Sequence, residues 1–239
     1  MTYDTIIPLL AVAVSAVAVP FILMFSHKPR VREAWTIGAA VAKLGLVISL
    51  LPRALDGDIA VTTLGEIVPG VELALRVDAL GMVFALVASG LWILTSIYSI
   101  GYIREARERN QTRYFASFAV CLSATIGVAF SANIITFIVF YEILTVATYP
   151  LVIHKQTPEA IAAGRKYLAY TLTAGVALLA GAVWIYNVAG SLDFVPGGLL
   201  TDVPASAATI RWLFVLFIAG VGVKAAIMPL QAWLPAAMV

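Results

Sequence analysis

Long apolar runs broken by short polar links set the rhythm of this chain. Seven such runs fall at Ile6 to Phe25, Ala34 to Leu51, Ala79 to Ile103, Tyr114 to Phe130, Ile134 to Ile153, Tyr167 to Val188 and Trp212 to about Leu230. At about 1.5 Å of rise per residue, roughly 20 apolar residues in a helix cross the ~30 Å hydrocarbon layer of a bilayer. The fourth and fifth runs form one uncharged stretch from Tyr114 to Tyr141, too long for one crossing, and Ser131-Ala132-Asn133 supplies the polar turn that divides it. The pattern predicts an all-α fold: a polytopic membrane helix bundle with seven transmembrane helices.

The charges in the links test that count independently. Links one, three and five carry Lys28, Arg30 and Arg32; Arg104, Arg107, Arg109 and Arg113; and Lys155, Arg165 and Lys166, which is ten of the fifteen basic residues. The N-terminus and links two and six hold Asp4, Asp56, Asp58, Glu66, Glu72, Asp193 and Asp202 against Arg53, Arg76 and Arg211. By the positive-inside rule the odd links are cytoplasmic and the N-terminus lies outside. The first run is a membrane helix and not a secretory signal, because Asp4 and no Lys or Arg precede it. Of the two long outer links, Arg53 to Arg76 contains the short runs Ile59 to Thr63 and Val71 to Leu75 around Pro69-Gly70, which predicts a small hairpin. Gly190 to Arg211 is rich in Gly, Pro, Ser and Asp and predicts an irregular loop.

Composition agrees with lipid as the solvent: 62% of residues are hydrophobic and 12% charged, too little polar surface to cover a water-soluble globule. A net charge of +2, with no basic block interleaved with aromatics, argues against a nucleic-acid partner. The lone cysteine, Cys121, lies in an apolar run and can form neither an internal disulfide nor a metal cluster. His27 and His154 sit at helix ends, with no metal-ligand spacing between them and other donors. The glycines are scattered along the helices, as close packing in lipid requires, and form no phosphate-binding loop. No cofactor and no metal are therefore expected, and soluble-type catalysis has no support.

What remains is a small set of charges in the apolar runs. Glu142 lies eight residues into the fifth run, about 12 Å deep, beyond the reach of its short side chain to either surface. Thr145 and Tyr149, three and seven residues on, share its face. Lys224 follows twelve uncharged residues and precedes Pro229, which cannot donate to the carbonyl of Ala225, so the seventh helix should break beside the ammonium. Broken helices with a charge at the break build ion sites in transporters, and charges at bilayer depth mark ion or proton paths. The plainer alternatives are a protonated Glu142 that only packs and a Lys224 that snorkels to the surface. Lys43, between Ala42 and Leu44, has no polar neighbour on its own helical face and stands evenly between packing and function, while Asp78 is expected to be interfacial.

The strings Phe140-Tyr141-Glu142-Ile143-Leu144, Gly164-Arg165-Lys166-Tyr167-Leu168 and Gly222-Val223-Lys224, the last followed by Met228-Pro229-Leu230-Gln231-Ala232-Trp233-Leu234-Pro235, resemble the antiporter-like membrane subunits. That family joins the proton-pumping subunits of respiratory complex I to the large subunits of Mrp-type cation/proton antiporters, and the wording here is nearest the D-type component of Mrp. The resemblance covers essentially the whole chain. It implies that Glu142 and Lys224 form an ion pair that gates proton movement and that Pro229 marks a discontinuous seventh helix. Two positions depart: Gln231 stands where the family commonly has His, and Lys43 matches no family motif.

Family members continue through about as many helices again, so the resemblance implies that this chain is the N-terminal half of a longer protein. Residues 1–239 are then one transmembrane domain, with 1–113 holding three helices and the outer hairpin and 114–239 beginning the proton-channel helix repeat. The expected activity is proton or cation/proton translocation in the cell's inner (plasma) membrane, carried by a Glu142–Lys224 relay with Lys43, Thr145, Tyr149 and Gln231 as accessory candidates. Expected partners are other membrane subunits, protons and sodium. Two rivals stay open: a proton-pumping arm of an NADH:quinone oxidoreductase or related hydrogenase complex, whose redox chemistry belongs to other chains, and an assembly scaffold that transports nothing.

Overall fold

The structure, a computed structural model, describes residues 1–68, 70–106, 108–201 and 203–238. Pro69, Arg107 and Asp202, which belong to the expected hairpin and to the charged links, lie outside the described residues. Among those described, seven helices are long and apolar enough to cross a membrane. They are α1 (Ile7–Met24), α2 (Pro29–Leu55), α3 (Ala79–Glu105), α4 (Gln111–Ala129), α5 (Ile134–Val152), α6 (Pro158–Ala189) and α7 (Ala207–Lys224). Beyond α7 come a 3-10 turn, Leu230–Ala232, and a single helical turn, α8 (Trp233–Ala236).

Large apolar side chains such as Leu80, Val176, Trp212 and Phe214 are exposed on these helices, while Ser89, Ser96, Thr145 and Thr171 are buried. That inversion is what a lipid environment selects: apolar contact is free outside, and polar groups are met only within the bundle.

The chain divides into two compact units, Met1–Leu64 with Ala74–Ser131, and Gly65–Leu73 with Ala132–Val239. In the first, α1 packs on α2 and α4, and α2 on α3, around Ala18, Ile22, Ala39, Ala40, Trp92, Phe115, Ala116 and Ala119. The alanines let helix backbones approach closely, which substitutes for the hydrophobic driving force that lipid removes. Asp78 caps α3, its carboxylate accepting from the Gly81 amide at 2.7 Å, and a Cβ at Gly81 would lie 2.5 Å from the Ala129 carbonyl oxygen. At the other end of α2 and α3, Glu33 is held between Arg104 and Arg32, 3.6 Å from the latter. Arg32 also donates to Gln111 and Thr112 of α4. Arg30 and Arg32, expected in a link, thus lie within α2, which begins at Pro29.

The expected hairpin is present and longer than the sequence suggested: β2 (Ile59–Val68) and β3 (Val71–Val77). A third strand, β1 (Thr2–Asp4), joins it in parallel, pairing Thr2 with Ile59 and Asp4 with Val61, in the order β1-β2-β3. Three residues carry too little alternation to reveal a strand, and this one is set by its partner.

In the second unit α5 packs on α6 and α6 on α7. Asn133 caps α5 by accepting from the Thr136 amide at 2.8 Å and donates through Nδ2 to the Glu72 carbonyl at 2.7 Å. Helix α6 starts at Pro158 behind a Thr157 cap, nine residues before the apolar run, so Arg165 and Lys166 sit on its surface and not in a link. Helix α7 stops at Lys224; Ala226 takes a left-handed φ of 52° and Pro229 leads into the 3-10 turn. The break is therefore a segment of several residues, wider than the loss of one donor at proline.

Candidate functional site

The sequence candidates of the second unit meet where α5, α6 and the end of α7 pack. Glu142 is half-buried on α5, and its Oε1 is enclosed without a hydrogen-bond partner in the protein. Room for the carboxylate comes from Gly175 of α6: a Cβ there would overlap it. Further along the same face, Tyr149 packs in the same way on Gly164, where a Cβ would lie 2.8 Å from Cε2. Small residues in α6 thus form notches for the polar face of α5.

Lys224, the last residue of α7, does not reach for water. Its Nζ donates to the Tyr141 carbonyl at 2.6 Å and lies 3.6 Å from the centre of the Tyr141 ring. The Glu142 carboxylate, on the next residue, attracts it across coulombic range. The same Tyr141 carbonyl accepts from Thr145 Oγ1 at 3.0 Å, and the Tyr141 hydroxyl donates to the Gly220 carbonyl of α7 at 3.0 Å. Tyr141 therefore ties α5 to α7 through both its carbonyl and its hydroxyl, and places the lysine one residue from the acid. In a low-dielectric interior such charge-assisted contacts are stronger than in water, and an ammonium without them would be too costly to hold.

Hydroxyl groups extend the cluster into α6. Tyr167 donates to the Thr145 carbonyl at 3.2 Å, and Thr171 donates to the Tyr167 carbonyl at 2.8 Å. Trp233 of α8 packs edge-on against Tyr167, with ring centroids 5.3 Å apart, and its Nε1 donates to the Val223 carbonyl at 2.7 Å. The same carbonyl accepts from the Ala226 amide at 3.1 Å, so the indole adds a second donor to the last turn of α7. Pro229 and Gln231 flank the same segment; the Gln231 Oε1 is buried without a partner in the protein.

Lys43 belongs to the first unit and is fully buried there. It donates to Ser15 Oγ of α1 at 2.7 Å and to the Leu122 carbonyl of α4 at 3.1 Å, and lies 4.9 Å from the centre of the Trp92 ring of α3. Glu142, Thr145, Tyr149 and Lys224 are thus gathered on the α5–α6–α7 packing, Gln231 and Pro229 lie in the segment after it, and Lys43 is in a cage of its own. Sequence reasoning passed over Tyr141, Tyr167, Trp233 and Gly175 as site residues. An aromatic or a glycine in an apolar run carries no signal until its neighbour on another helix is known.

The fold and this cluster define a class, a polytopic membrane bundle with its seventh long helix interrupted beside a lysine. Comparison with known proteins narrows it. Residues 131–239 match the family model described as "NADH:quinone oxidoreductase/Mrp antiporter, TM", and residues 69–115 match that of "NADH-Ubiquinone oxidoreductase (complex I), chain 5 N-terminus". Hydrogenase-4 component B of Escherichia coli K12 is 28% identical over 209 residues, covering 86% of this chain and 31% of that protein. The D component of the Na(+)/H(+) antiporter of Bacillus subtilis 168 is 24% identical over 237 residues, 98% of this chain and 47% of that one. Among solved structures, the archaeal membrane-bound sulfane sulfur reductase contains a chain with the same fold, at a TM-score of 0.83 and 19% identity, covering 98% of this chain and 47% of that chain. The chain belongs to the antiporter-like membrane-subunit family shared by NADH:quinone oxidoreductases and Mrp antiporters. It spans less than half the length of these relatives.

Proposed function

We propose that the chain moves protons, alone or in exchange for sodium, across the bilayer as one membrane subunit among several, with Glu142 and Lys224 as the groups that exchange. The observation that carries this is the docking of Lys224 on Tyr141, which holds an ammonium one residue from an intramembrane carboxylate and at the interruption of its own helix. With Glu142 ionised, the ammonium has a counter-charge and keeps its proton. When a second charge draws the carboxylate away, the ammonium is left with a carbonyl and a ring face, and it passes a proton onward. Thr145 and Tyr149 hold the acid's helix against α6, and Gln231 offers an amide in the segment after the break. The B. subtilis relative, part of an Na(+)/H(+) antiporter by name, supports the exchange of cations.

The alternation of basic and acidic links supports an N-terminus outside and odd links on the cytoplasmic side of the cell's inner (plasma) membrane. Residues 114–239 are read as the start of the channel helix repeat. A second reading, a proton-pumping arm driven by redox chemistry in other chains, draws support from the E. coli hydrogenase-4 component. Flavin or iron–sulfur absorbance in the purified complex would favour it over secondary antiport.

The test is ion flux in proteoliposomes containing the assembled complex. Glu142→Gln and Lys224→Met are each expected to abolish coupled ion movement while leaving insertion and assembly intact. Wild-type flux in both variants would reject the relay.

A further inference from the structure

Lys43 stands near the middle of α2 with 0% of its surface exposed, and it forms no ion pair with any described carboxylate. The carboxylates of the first unit, Asp4, Glu33, Asp56, Asp58, Asp78, Glu105 and Glu108, all lie in links or within two turns of a helix end. Glu33, on the same helix, is ten residues away, about 15 Å along the axis. Two of the three N–H groups of an ammonium are accounted for by Ser15 and Leu122, and Trp92 presents its ring face.

Helix α3 adds the observation that points further. Ser89, Trp92 and Ser96 are spaced by three and four residues, so they share one face, the face from which Trp92 meets Lys43. Ser89 and Ser96 are wholly buried and Trp92 is 2% exposed, yet Ser89 Oγ, Trp92 Nε1 and Ser96 Oγ have no partner in the protein. Buried polar groups are rarely left unmet, and where protein does not meet them, internal water does. The same face continues to Ser99, whose hydroxyl lies 3.2 Å from that of Tyr114 near the start of α4. From Ser89 to Ser99 the rise is about 15 Å, half the hydrocarbon thickness.

We propose that a file of internal water runs along the serine face of α3 from Ser99 and Tyr114 to Lys43, and that Lys43 is a protonatable station on it, additional to the Glu142–Lys224 pair. Proton transfer along the file is balanced at each step. The ammonium gives one proton to a neighbouring water, each water or serine hydroxyl accepts one and releases another, and the amine recovers a proton from the same file; no electrons move. The indole N–H of Trp92 donates to a water and orients it without taking part in the exchange. The proton-carrying role rests on the translocation reading above, whereas the presence of the water does not.

Two measurements on the full-length protein in its membrane complex separate those statements. X-ray radiolytic labelling generates hydroxyl radicals from internal water in place, so Trp92 is expected to be oxidised rapidly despite its burial. In the Ser89→Ala, Ser96→Ala variant, labelling should fall by about tenfold as the water loses its anchors. A Trp92 that stays unlabelled in the wild type overturns the water file, whatever the complex transports. In proteoliposomes, Lys43→Met and the double serine variant are each expected to lower proton flux by about tenfold, with Lys43→Arg retaining more than Lys43→Met. Where Lys43→Met fails to assemble, the serine variant carries the test. Wild-type flux in an assembled variant shows that Lys43 is a static tie and overturns the station.

Discussion

Lys224 in the second unit and Lys43 in the first are both flanked along the chain by apolar residues, yet their surroundings differ in kind. Lys224 ends its helix, is half-buried, and has a carboxylate on the residue next to the one that holds it. Lys43 sits inside an unbroken helix, is fully enclosed, and is met by a hydroxyl, a carbonyl and an indole face contributed by three other helices. One charge is balanced by another charge, and the other by dipoles alone. A charge–charge partnership is switched by moving one member, which changes the energy of the other; the members of a dipole cage are fixed in helices and stay in place.

The contrast predicts a ranking of stabilities, read from reversible unfolding of the assembled protein in detergent. Lys224→Met removes a cation and leaves the Glu142 carboxylate enclosed without its counter-charge. It should cost about 3 kcal/mol, at the low end for a buried pair because both groups are partly exposed. Adding Glu142→Gln to it should recover most of that loss, and a double variant as unstable as the single one would show that the two charges are not coupled. Gly175→Leu, which fills the notch occupied by the carboxylate, is expected to cost about 2 kcal/mol and to lower ion flux as well; an unchanged midpoint would mean that the notch is slack. Tyr141→Phe removes the bond to Gly220 between α5 and α7 while keeping the ring under Lys224, for a loss of about 1 kcal/mol. Smallest of all is Lys43→Met, expected to change stability by less than about 1 kcal/mol, since it leaves no orphaned charge behind. Should Lys43→Met destabilise as much as Lys224→Met, the distinction between the two lysines collapses.

The helices of the bundle were legible because each apolar run is long enough to cross a bilayer, and Glu142 and Lys224 stood out because a charge inside such a run is rare. The start of α6 was not legible from hydropathy: residues 158–166 are polar enough to read as a link, and it is the Thr157 cap and Pro158 that begin the helix there. Nor did anything in the three residues of β1 announce a strand before Ile59 to Val61 lay beside them. At Lys43 a reading confined to its own helix found no polar companion, because Ser15, Trp92 and Leu122 come from other helices, as much as 79 residues away in sequence.

The sequence by itself determined the solvent, the seven long helices, the acid and the base that do not belong in oil, and the proline-marked interruption after the seventh helix. Each follows from local composition, since hydrophobic run length and backbone chemistry act over a few turns. Tertiary structure alone decided that Tyr141 would hold Lys224, that Gly175 would make room for Glu142, and that Trp92 of α3 would close the cage around Lys43. Those pairings depend on which faces of distant helices meet, and small-residue packing between helices is set by the whole bundle and not by any one segment of it.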